Sequence, residues 1–82
     1  MTFVLYKHFG LFALPVEFAD KHDLSVFDDI RRDDPELIDY VRTHDTDLTL
    51  VEIPDYATDW EITEYDGCES IIYVLDGKLY HG

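Results

Sequence analysis

Hydrophobic and polar positions change their period along the chain. Between residues 2 and 9 they alternate. Phe3, Leu5 and Phe9 fall on one side, and Val4, Tyr6 and His8 on the other. Branched and aromatic residues dominate, so the stretch predicts a strand buried on at least one face, ended by Gly10. Residues 14–22 predict a short helix. Pro15 suits its first turn, Glu17 sits near its positive end, and Val16, Phe18 and Ala19 form its apolar side, with Leu14 leading in. Residues 25–32 read as a connector that Val26, Phe27 and Ile30 pin to the core. A second helix is predicted from 35 to 44. Asp34 is a good N-cap, Pro35 fits the first helical position, and Leu37, Ile38 and Val41 share one face, with Tyr40 flanking.

Beyond residue 46 the pattern is that of strands. Residues 47–53 are rich in Leu, Val, Ile and Thr, and Pro54 closes them. Residues 60–65 alternate, with Trp60 and Ile62 on one side. Asp66-Gly67 is a hairpin-turn pair. Residues 70–75 predict a strand and Asp76-Gly77 a second turn, leaving a short last strand over 78–80. The expectation is an α+β fold in a single small domain spanning 1–82. Two short helices pack on a mostly antiparallel sheet, in the order β-α-α-β-β-β.

Charge sharpens this picture. The 82 residues carry 19 acids and 6 bases, a formal net charge of -13. Direct binding to nucleic acid or to an anionic membrane surface is excluded as an expectation, because those partners recruit Lys and Arg. The 46% hydrophobic and 15% aromatic content argues against an acidic disordered tail. No run approaches a membrane span or a signal peptide. The single cysteine, Cys68, allows no internal disulfide. A cytoplasmic location is the expectation, since an unpaired thiol fits a reducing compartment.

The acids are spread along the chain, but the bases are not. No Lys or Arg lies between Thr43 and Gly77, where ten acids occur: Asp45, Asp47, Glu52, Asp55, Asp59, Glu61, Glu64, Asp66, Glu69 and Asp76. The predicted sheet half is therefore uncompensated. Asp59 and Glu61 share a strand face, roughly 6.5–7 Å apart, as alternate residues do. The candidate partner-binding residues are Asp55, Asp59, Trp60, Glu61, Glu64, Tyr65, Asp66 and Glu69. The acids would steer a basic partner, and the aromatics would supply short-range affinity. Asp28, Asp29, Asp33 and Asp34 surround Arg31 and Arg32, and read as capping and local ion pairing.

Catalytic and metal signatures do not emerge. His8, His22, His44 and His81 make no HExxH or HxH spacing, and Cys68 makes no Cys-x-x-Cys pair. No glycine-rich phosphate loop is present. Neither a metal, a cofactor nor an enzymatic activity is expected.

Four blocks carry a family likeness: Phe9-Gly10 with Phe12 and Leu14, Arg32-Asp33-Asp34-Pro35 with Leu37, Leu50-Val51-Glu52-Ile53-Pro54-Asp55, and Trp60-Glu61-Ile62-Thr63-Glu64-Tyr65-Asp66-Gly67. The chain resembles small phage and prophage proteins of uncharacterised function that carry similar blocks, over residues 3–73. It departs where those proteins have a second glycine, here Leu11, and over residues 76–82. The resemblance implies a phage-encoded protein at work in a bacterial host, and implies no catalytic residues. Small acidic phage proteins often occupy a host protein's nucleic-acid site. The leading expectation is thus a non-enzymatic inhibitor, a mimic of nucleic acid, aimed at a basic host defence or nucleic-acid-binding protein. The competing one is an accessory phage interaction or regulatory protein, or a homo-oligomer subunit, whose acidity serves only solubility.

Overall fold

The computed structural model of the chain describes residues 1–8 and 10–82. The first strand, β1 (Thr2–Tyr6), is apolar on both sides, and both sides are covered. On one side Val4 joins Leu14, Phe18, Ala19, Leu37 and Leu48 in a buried cluster. On the other, Phe3 and Leu5 join Ile53 and Ile71. Each of these side chains stabilises the fold by about 2 kcal/mol through burial. The strand predicted over 2–9 ends at Tyr6. Phe9, placed by its period on the Phe3 and Leu5 side, lies outside the described residues.

The helices α1 (Val16–Lys21) and α2 (Pro35–Thr43) cover the first side. As the sequence predicts, the Asp34 carboxylate accepts from the backbone N–H groups of Glu36 and Leu37, at 2.9 and 3.1 Å. Arg31 pairs with Asp33 at 2.7 Å. Val16 is turned out to solvent; Phe18 and Ala19 carry the buried face of α1.

The strands form two antiparallel sheets rather than one. β2 (Leu48–Glu52) pairs with β1, Val4 opposite Leu50. The second sheet is a meander of β3 (Asp59–Tyr65), β4 (Cys68–Leu75) and β5 (Lys78–His81). The β1–β2 ribbon is the middle layer between the helices and the meander. The split follows from β1: a strand apolar on both faces needs a cover on each. Both meander turns are Asp-Gly pairs with positive φ at each central residue, 51° and 83° at Asp66 and Gly67, 52° and 76° at Asp76 and Gly77. That conformation matches the twist of a tight hairpin.

The two sheets are tied chiefly by a charge pair. The outer edge of β1, opposite β2, is completed by Arg32 and Glu69. The Val4 N–H donates to the Arg32 carbonyl at 2.7 Å, and the Tyr6 N–H to the Glu69 carboxylate at 2.9 Å. The Arg32 guanidinium forks onto both Glu69 oxygens, with Nη2–Oε2 at 2.8 Å, and also reaches the Val4 carbonyl. It lies 3.5 Å from the centre of the Phe12 ring. A second tie is steric. The Gly10 N–H donates to the Asp66 carbonyl at 3.0 Å, and a Cβ at Gly67 would fall 1.5 Å from the Gly10 oxygen.

Removing one member of the Arg32–Glu69 pair leaves a charge in a largely buried place. Glu69→Ala is expected to lower the unfolding free energy by about 3 kcal/mol, read from urea denaturation. The paired change Arg32→Met with Glu69→Leu should cost less than that single change. Gly67→Ala should destabilise as well, because neither its φ nor the Gly10 backbone leaves room.

Candidate partner-binding surface

The alternation of β3 divides the predicted site between two faces. Asp59, Glu61 and Tyr65 lie on the outer face of the meander, away from the core; Trp60, Ile62 and Glu64 lie on the inner one. On the outer face the register sets Glu61 opposite Ile72 and Asp59 opposite Val74, with Leu79 beside Val74 on β5. Ile72 and Val74 are half-buried and Leu79 is exposed. Among the described residues no helix covers this face. Its relief is a shallow hollow of about 120 Å³ lined by Asp59, Trp60, Glu61, Ile72, Tyr73, Val74 and Leu79. That is well below the roughly 300 Å³ where small-molecule pockets begin.

Three predicted residues are repositioned. Glu69 is no surface acid: it is 8% exposed and bound by Arg32 and the Tyr6 N–H. Its strand phase matches Ile71, the most buried residue of β4, and this drew it inward. Trp60 does not stand beside Asp59 and Glu61. Its ring packs on Phe3 at 4.5 Å between centroids, leaving it 42% exposed at the rim of the inner face. Glu64 is exposed but directly opposite Glu69 on the inner side, so it stands apart from the outer acids. Of the remainder, Tyr65 is 76% exposed and Asp66 caps the turn beside it. Asp55, on the β2–β3 connection, receives a hydrogen bond from the Met1 amino group. That bond, with the charge of the amine, holds its carboxyl below the usual carboxylate range.

Ile72, Val74 and Leu79 were missed as site residues. The continuous apolar run over 70–75 reads as a strand buried on both faces. The available signal was the two-residue Asp66-Gly67 turn, which fixes the hairpin register and sets Ile72 opposite Glu61 and Val74 opposite Asp59.

Other constellations have structural partners. In the groove between α1 and α2, of about 540 Å³, His22 pairs with Glu36 at 3.1 Å and the His44 ring stacks on Tyr40 at 3.9 Å. Burial, and then the nearby Glu17 carboxylate, push the Tyr40 hydroxyl above its usual range. Cys68 is half-buried opposite Tyr65. Among the described residues, no three His, Cys, Asp or Glu side chains converge to hold a metal ion. Nor, among them, is any helix long and apolar enough to cross a membrane.

No protein-family model, curated protein or solved structure matches the chain. The surface described by these residues is that of a small α+β protein with one uncovered acidic and apolar sheet face.

Trp60→Ala is expected to cost about 2 kcal/mol of stability, below the range for a fully buried tryptophan because of its exposure. Tyr65→Ala should stay within about 0.5 kcal/mol of the parent. Thermal unfolding followed by circular dichroism distinguishes the two.

Proposed function

We propose that the chain is a non-enzymatic, phage- or prophage-encoded binding protein that inhibits a basic host protein. The target class is a nucleic-acid-binding or defence protein, such as a CRISPR or restriction component, whose groove normally holds a phosphate backbone. One observation carries this reading. Asp59 and Glu61 flank the exposed Ile72–Val74–Leu79 stripe, on a sheet face that no helix covers, within a stretch that has no Lys or Arg from Thr43 to Gly77. The acids supply long-range attraction and orientation, and the stripe supplies dehydrated contact once the surfaces meet. The resemblance of the four sequence blocks to those of small phage proteins is the ground for the source and the host-directed role.

Loss of affinity with salt is the expected signature, because the steering charges are exposed and screened over about 8 Å at physiological ionic strength. A host target captured by the protein should be released by added duplex DNA and by salt. Glu61→Lys combined with Asp59→Asn should weaken binding about tenfold or more. The asparagine keeps an oxygen able to accept the Trp60 N–H, as Asp59 does at 2.9 Å. Asp20→Lys on α1, far from the meander, is the matched control. Binding indifferent to salt, to DNA and to the paired substitution overturns the reading.

A further inference from the structure

We infer that β5 is a self-association edge, at which two copies of the chain pair antiparallel about a twofold axis through Leu79. The meander has two edges, β3 and β5, and they differ. The β3 edge is guarded. It carries Asp59, Glu61 and Glu64, and the Asp59 carboxylate already accepts the Trp60 N–H at 2.9 Å. Charged side chains, lysine among them, are how natural sheets blunt an edge. β5 is guarded less, with Lys78 its one Lys, Arg, Asp or Glu against the three acids of β3. Lys78, Leu79, Tyr80 and His81 are all exposed, with no acid among them, and Lys78 is the one base after Arg42.

The hydrogen-bond phase of β5 decides the register. The tight Asp76-Gly77 turn makes Leu75 and Lys78 its first bonded pair, and the Gly82 N–H donates to the Ile71 carbonyl at 2.8 Å. Lys78, Tyr80 and Gly82 therefore direct their backbone groups toward β4, and Leu79 and His81 direct theirs outward. No turn or loop hydrogen bond between backbone groups reaches the backbone of Leu79 or His81 among the described residues. A twofold axis through Leu79 sets the two Leu79 residues opposite each other as a bonded pair. It sets Gly77 opposite the second copy's His81, and Lys78 opposite its Tyr80. Paired residues then share a face, as antiparallel pairing requires. Lys78 meets an aromatic ring instead of another ammonium.

The product is a six-stranded sheet in which the two Ile72–Val74–Leu79 stripes run together. Repulsion between the copies is modest at physiological salt. The two β3 strands end five strand spacings apart, roughly 24 Å, about three screening lengths. A head-to-tail pairing of β5 with a second copy's β3 would instead meet the guarded edge, and would propagate without closing.

The edge pairing does not require the basic-partner reading, although Leu79 serves in both, and salt acts on the two in opposite directions. Sedimentation equilibrium of the intact chain, at concentrations up to about 1 mM, should give a monomer–dimer equilibrium. The dimer should strengthen between about 0.05 and 0.5 M salt, as repulsion between the copies is screened. Leu79→Pro removes an outward N–H that the meander does not use, and should weaken the dimer at least about tenfold. Leu79→Lys changes only an exposed side chain and sets two ammonium groups opposite each other. It should weaken the dimer similarly while the circular dichroism spectrum is kept. A monomer at every concentration and salt, growth beyond the dimer, or a dimer unaffected by Leu79→Lys overturns the inference. Capture of a host target by the parent chain, at concentrations where sedimentation finds only monomer, would leave the basic-partner reading standing.

Discussion

An inward-facing charge pair holds the three layers together. β1 is paired with β2 along one edge only, and its other edge runs into the interior. Backbone groups buried there without partners would each cost several kcal/mol by transfer to an apolar medium. Arg32 and Glu69 supply what a further strand would otherwise supply. The Arg32 carbonyl and guanidinium serve Val4, and the Glu69 carboxylate serves Tyr6. Each ion is also neutralised by the other and sandwiched by packing, the guanidinium over Phe12. The pair therefore does two things together. It closes the β1 edge, and it fixes the meander relative to the ribbon.

That fixation decides what the meander shows to solvent. Glu69 and Ile71 must face the ribbon, so every second residue of β4 faces away. The outer face is thus a consequence of the pair, with Asp59 and Glu61 aligned to Ile72 and Val74 through the β3–β4 register. Acid and apolar positions lie side by side on it. The Gly10–Gly67 approach clamps the turn of the same hairpin, two residues from Glu69. The surface is held from its turn end by interactions of the interior.

Local features were legible in the sequence. Asp34 and Pro35 announced the start of α2, and two Asp-Gly pairs announced both turns of the meander, because caps and tight turns depend on a few adjacent residues. The α+β order and the shared face of Asp59 and Glu61 followed from periodicity. The division into two sheets did not. It depends on β1 pairing with a strand 46 residues later, Thr2 against Glu52 and Tyr6 against Leu48, and nothing local encodes that. Glu69 was read as a surface acid; its phase with Ile71 was the signal that it faces inward. The matching cation was hidden among Arg31, Arg32 and their neighbouring acids. Counting charge along the chain gave the sign of the surface, but only the alternation of strands said which acids stand together.

The long reach of these links also orders events in time. Tyr6 is 63 residues from Glu69, and Arg32 is 37 residues from it. A chain emerging from a ribosome therefore cannot finish its interior until nearly all of it has been made. Until then the apolar β1 segment waits without a cover, a sequence type that readily pairs with its own kind. Closure through such distant contacts is slow compared with helix formation. The carboxylates spread along the chain repel other unfinished copies throughout that wait. In this sense the acidity protects the newborn chain before it has any face to present.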